Sequence, residues 1–166
     1  MQFVATERWH LEYMHPDARP NICEDSRGIT ALSGNVPVAI CIMDNWSFNS
    51  CMMHIWIGNP MVLRHGFAEE VFGFVFNSGR TKVIGITPSD NQRALKFNRH
   101  IGFKEIFRIK DGYKHGVDHV ITEMNKSECR FINGQKVSTG STRLYGGSKT
   151  ARAGKQGHRV PERRPQ

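Results

Sequence analysis

The chain has 166 residues, 39% of them hydrophobic and 23% charged, with a mean hydropathy of −0.46 and a formal net charge of +8. That profile fits one globular domain, and the longest apolar run, Val36 to Met43 counting Pro37, is far too short to span a membrane. Met1 to Tyr13 mixes Glu7, Arg8, His10 and Glu12 among its hydrophobes, so it does not read as a secretory leader, and the expectation is a cytoplasmic protein.

The positive charge is not spread evenly. Residues 134–166 carry eight Lys and Arg against the single acid Glu162, whereas residues 1–133 hold fifteen against fourteen acids. The division is therefore a nearly neutral domain over 1–133 and a basic tail over 134–166. The tail is rich in Gly, Ser and Thr and poor in large apolar side chains, so it reads as disordered. It is either a solvated terminus or an arm that releases counterions from nucleic acid or another acidic partner. Cys23, Cys41, Cys51 and Cys129 show no C-x-x-C and no zinc-like spacing, so they are expected as buried free thiols, with no metal site.

In chain order, Met1 to Ala5 reads as a strand and Glu7 to Met14 as a short amphipathic helix, ended by Pro16, whose Trp9, Leu11 and Tyr13 pack on the core. Gly28 to Leu32 and Pro37 to Met43 are strands around the turn signal Ser33-Gly34-Asn35, and Cys51 to Ile57 is a further strand. Gly66 to Asn77 has helical periodicity through Phe67, Val71, Phe74 and Val75, with Glu69 and Glu70 in its first turn. Lys82 to Thr87 is a central strand. Pro88-Ser89-Asp90 signals the start of a helix that buries Ala94, Phe97 and Ile101 and stops at Gly102. Lys104 to Lys110 and Val117 to Met124 form a hairpin with its turn at Asp111-Gly112, and Cys129 to Ile132 is an apolar remnant. This order describes a mixed α/β domain with a crossover helix between neighbouring strands.

Two segments stand out. Pro60 to Ala68 joins a strand to a helix, and Arg64, His65 and Gly66 at that helix start suit either an anion or a plain capped turn. Asn91 to Phe103 reads N-x-x-A-x-x-F-N-x-x-x-G-F. It resembles the GNAT superfamily of acyl-coenzyme A-dependent N-acetyltransferases, which often shows N-x-x-A-x-x-L-Y-x-x-x-G-F. The upstream segment is similar to that family's pyrophosphate loop at Pro60, Gly66 and Ala68, with Leu63 where Gln or Arg is usual and Gly58 where Val is. The resemblance spans roughly Gly28 to Met124 and is nearest to small GNAT-like proteins of phages and bacteria, which would place the chain in a host cytoplasm or a virion.

The resemblance implies a GNAT-like mixed sheet with two splayed strands, helices on both faces and a C-terminal β-hairpin. It implies acetyl transfer from acetyl-coenzyme A to a primary amine by direct attack, with no metal. Trp56, Ile57 and Gly58 would line the thioester arm, Arg64, His65, Gly66, Phe67 and Ala68 would hold the pyrophosphate, and Asn91 would bond the pantetheine unless it only opens its helix. Asn98 stands where the family's acid Tyr is usual; an amide donates a hydrogen bond but no proton at neutral pH. Tyr13, Tyr113 and Tyr145 lie outside that helix. For the base, His54 comes first, if it is not merely a strand histidine, and Asp44 second. The few residues before Gly28 leave the acceptor site open or completed by a second copy in a homodimer. The alternative to an enzyme is a GNAT-fold scaffold that has lost turnover, a phage structural or nucleic-acid-associated protein using its tail.

If the tail is an arm on nucleic acid, duplex DNA binds in a salt-dependent manner in a fluorescence anisotropy titration and removing residues 134–166 abolishes it; binding that survives the deletion would contradict a tail-driven mechanism.

Overall fold

The computed structural model describes residues 1–132; the basic segment from Gly134 lies outside them. Seven strands form one mixed sheet: β1 (Gln2–Ala5), β2 (Arg27–Ser33), β3 (Val36–Asp44), β4 (Ser50–Ile57), β5 (Lys82–Pro88), β6 (Lys104–Lys114) and β7 (Val117–Asn125). Their order is β1-β2-β3-β4-β5-β7-β6, and among the described residues only β4 and β5 pair in parallel. Two α-helices make the crossovers, α1 (Phe67–Asn77) between β4 and β5 and α2 (Gln92–Ile101) between β5 and β6. This is the mixed α/β architecture that the order of elements predicts.

Alternation along β3 sorts the sheet into two faces. Ala39, Cys41 and Met43 join the large core under α1, with Met53, Val83, Phe72 and Ile101, whereas Ile40 and Ile42 pack with Met14, Leu11 and Trp56 on the opposite face. Both α-helices therefore lie on one face, and the short N-terminal helix covers part of the other. Phe131 closes the large core by stacking on Phe72 at 5.5 Å between ring centroids, which gives the apolar remnant after β7 its role.

Three expectations need correction. The segment after β1 is a 3₁₀ helix, Arg8–Tyr13, not an α-helix, and it leaves Trp9 and Tyr13 exposed. With three residues per turn, Leu11 and Met14 fall in one line toward Ile40 and Ile42, whereas Trp9 and Tyr13 do not. The last hairpin turns at His115-Gly116, where Gly116 has φ +77°, and not at Asp111-Gly112. Ile109 pairs with His119 and Lys114 with Val117, so Lys110 to Tyr113 bulge out of β6. Asp111 folds that bulge by accepting from the Gly116 amide at 2.6 Å, while Asp118 accepts from the Asp111 amide at 3.0 Å. Finally, Cys41, Cys51 and Cys129 are buried free thiols as expected, but Cys23 is exposed. Burial raises the Cys41 thiol well above its ordinary range and Cys51 to about 12, which keeps both neutral and inert.

The N-terminal 3₁₀ helix is organised by His10, 1% exposed, whose Nδ1 accepts from the Glu7 amide at 2.9 Å. Burial lowers the His10 pKa, against a smaller opposing effect of Glu7. The unfolded chain thus binds the proton more readily, so the stability His10 contributes is complete above the ordinary imidazole pKa of about 6.5 and is lost as pH falls through the lower folded value. Urea midpoints should drop between pH 7.5 and pH 5, and His10→Asn, which keeps an acceptor without the titration, should show a smaller drop.

Candidate active site

The defining feature is where β4 and β5 stop pairing. They share the register Ser50↔Lys82, Cys51↔Val83 and Met52↔Ile84, and then diverge. Each remains held on its far side, β4 by β3 as far as Ala39↔Ile57, and β5 by β7 along its whole length. The Gly58 amide donates to Val38 at 2.9 Å, which sets the alternation: even-numbered residues of β4 direct their backbone groups to β3. The carbonyl of Met53 and the amides and carbonyls of Ile55 and Ile57 accordingly face the gap, beyond the last pair with β5. Of the three residues expected to line the thioester arm, then, Ile57 offers backbone to the gap. Trp56 contributes its side chain, and Gly58 is turned to β3. Gly58 has a different duty: a Cβ there would lie 2.5 Å from the Trp56 indole, so only glycine lets that ring fold back over the strand end.

The gap opens into a cleft of about 1500 Å³. Its walls include His54, Trp56, Ile57, Arg64, Asn91 and Asn98 among the residues singled out from the sequence. Gly58, His65, Gly66, Phe67 and Ala68 are not among its lining residues. At the loop before α1, Pro60–His65 winds as a 3₁₀ helix and Gly66 adopts φ +89°, its amide bonded back to the Leu63 carbonyl. That conformation favours glycine and starts α1 abruptly, with no side-chain cap. The Phe67, Ala68 and Glu69 amides are the first-turn donors that a helix leaves without an internal partner. The side chains of Phe67 and Ala68 are buried, Phe67 against Phe3 at 5.8 Å, so these two can serve a ligand only through backbone. Arg64 and His65 are exposed beside those amides. Glu69 and Glu70 share the same turn, and Glu69 Oε2 is buried without a hydrogen-bond partner.

The two base candidates prove to be partners. Asp44 ends β3 opposite Met52, and His54 sits opposite Ile42, so the two are diagonal neighbours on the face away from α1. His54 Nε2 lies 3.2 Å from Asp44 Oδ2 and 3.3 Å from Oδ1. Asn45 donates to the same carboxylate at 3.0 Å. Asp44 is only 4% exposed, while the His54 side chain keeps 29% of its surface open at the cleft. With Nε2 on the carboxylate, Nδ1 is the ring nitrogen left to accept a proton.

Asn91 caps α2: its Oδ1 accepts from the Ala94 amide at 3.0 Å, so its helix-opening role is real, and its NH₂ is the part that can still reach a ligand. Asn98 donates through Nδ2 to Thr87 Oγ1 at 3.1 Å. Thr87 shares the α1 side of β5 with Val83, which places the Asn98–Thr87 pair across the sheet from His54, with the gap between them. Thr87, Tyr113, His119 and Arg19 all border the cleft and were not legible in the sequence. Tyr113 lies outside α2, yet the β6–β7 hairpin returns it to the cleft wall with its ring 5.6 Å from that of His119.

Among solved structures, the spermidine/spermine N-acetyltransferase SpeG of Vibrio cholerae is similar at a TM-score of 0.59 and 12% identity, over 76% of this chain and 92% of that one. The protein smu.2055 of Streptococcus mutans is similar at 0.57 and 15%, over 76% and 99%. A GNAT family acetyltransferase of Elizabethkingia anophelis with acetyl-CoA bound is similar at 0.52 and 16%, over 61% and 76%. No protein-family model matches the chain, and no curated protein matches it in sequence. At such identities the likeness is one of fold: the chain has the GNAT fold.

Gly58→Ala should displace the Trp56 ring and cost about 1–3 kcal/mol by overpacking, read as a lower urea midpoint.

Proposed function

We propose that this GNAT-fold chain moves an acetyl group from acetyl-coenzyme A to a primary amine by direct attack. The observation that carries the reading is the unpaired stretch of β4 from Met53 to Ile57, an interior strand edge that opens on a cleft of about 1500 Å³. Backbone groups inside a sheet are ordinarily paired, and an extended amide-bearing arm supplies the missing partners as another strand would. Arg64, His65 and the first amides of α1 are suited to the pyrophosphate. Glu69 and Glu70 counter that charge in part, so the anion is held by the loop side of the helix start.

His54 is the base in this reading and Asp44 a positioning residue. The amine nitrogen forms its bond to the acetyl carbon as the carbon–sulfur bond breaks. His54 Nδ1 takes the proton that the amine gives up, and Asp44 holds the ring and offsets the charge it acquires. That proton then returns, through His54 or water, to the departing sulfur. Asn98 gives no proton; it fixes the Thr87 hydroxyl, whose hydrogen can point at developing negative charge. Thioester sulfur is a good leaving group, so turnover does not depend on an acid at that position.

Isothermal titration should detect acetyl-coenzyme A binding, and Gly66→Glu should abolish it by straining a φ of +89° and adding a charge that repels phosphate. His54→Ala should lower kcat by roughly 10²–10⁴-fold with acetyl-coenzyme A affinity unchanged. No binding up to millimolar would reject the reading, and binding without thiol release across varied amines would favour a binding protein on the same fold.

A further inference from the structure

The cleft offers a polycationic acceptor no unpartnered carboxylate among the described residues. Among the described residues two aspartates border it, and each already has a partner. Asp44 holds His54 and Asn45, and Asp90 lies 3.3 Å from Lys114. Arg19 is placed in the opposite way. It borders the cleft, and none of the ion pairs among the described residues involves it. Its guanidinium is nonetheless fixed: Nε donates to the Met14 carbonyl at 3.0 Å and Nη2 to the Glu12 carbonyl at 3.0 Å.

The anchor locates that charge. The Met14 side chain packs on Ile40 and Ile42, whose cross-strand partners are Trp56 and His54. Arg19 is thus tied to the backbone of the segment lying over that part of the sheet, on the face from which His54 opens to the cleft. A guanidinium held in place by two carbonyls, with no carboxylate partner among the described residues, is preorganised for a planar or tetrahedral oxyanion, because little side-chain entropy remains to be lost on binding. His119 on the far wall adds a second group able to donate to such an anion.

We propose that the acceptor is a primary amine bearing a carboxylate or phosphate, with Arg19 receiving the anion while the amine faces His54. The inference rests on the acyl-transfer reading above and deepens it. It sets this cleft apart from one built for a polyamine, despite the fold shared with a spermidine/spermine N-acetyltransferase.

The test is a series sharing one amine: ethanolamine, β-alanine and O-phosphoethanolamine, with spermidine as the polycation, each titrated into the full chain saturated with coenzyme A and then assayed for thiol release with acetyl-coenzyme A. One or both anionic amines should bind and react roughly tenfold or more better than ethanolamine, the worth of one charge-assisted hydrogen bond, and spermidine should gain nothing. The stronger of the two distinguishes carboxylate from phosphate. In Arg19→Gln, which loses the charge, that advantage should vanish, read as the ratio of each anionic amine to ethanolamine within the variant. Equal use of ethanolamine, preference for spermidine, or an advantage that persists in Arg19→Gln would overturn the inference, and the wild-type series decides it even if the variant does not fold. Failure of coenzyme A itself to bind would instead remove the acyl-transfer reading beneath it.

Discussion

Strands β4 and β5 run parallel yet share only three residue pairs, Ser50↔Lys82 to Met52↔Ile84. Everything at the site follows from that short register. Two neighbouring strands in the middle of a sheet normally close on each other, because an unpaired backbone amide or carbonyl away from water is costly. Here each strand has a stronger commitment elsewhere. β3 holds β4 through Ile57, and β7 holds β5 through Pro88, so the two halves of the sheet twist apart without either strand losing its place. The opening is therefore a property of the topology and not of a flexible loop, and its edges are as rigid as the strands that form them.

The faces of the sheet then divide the chemistry. On the side of α1 and α2, Asn98 and Thr87 join a helix to the end of β5. On the other side, His54 and Asp44 use the diagonal spacing of an antiparallel pair, which fixes an imidazole against a carboxylate without any loop. Both pairs border the same cleft. The short 3₁₀ helix, anchored through Met14 on Ile40 and Ile42, brings Arg19 to the same opening.

How much of this was readable from the chain varied with the range of the interaction. The strands and both α-helices were legible because alternation and helical periodicity are local and the apolar contrast is strong, as in Phe67, Val71 and Val75, all buried. The 3₁₀ helix was misread because six residues scarcely distinguish 3.0 from 3.6 residues per turn. The last turn was misplaced because Asp-Gly is a turn signal wherever it occurs; whether it closes a hairpin or a bulge depends on the register against β7. Within the site, Pro60 to Ala68 and Asn91 to Phe103 carried recognisable spacing, whereas Arg19, Thr87, Tyr113 and His119 sit in segments with no motif at all.

The sequence by itself determined the order of elements, the concentration of positive charge after residue 133, and the glycines that stop or start helices, since each is read from composition or from residues a few positions apart. Tertiary structure alone decided that His54 and Asp44 are one unit and that a tyrosine from the last hairpin borders the same cleft. It likewise decided that β4 and β5 part after Met52. Those outcomes depend on pairing between strands distant in the chain, where a shift of one residue would turn every side chain to the other face.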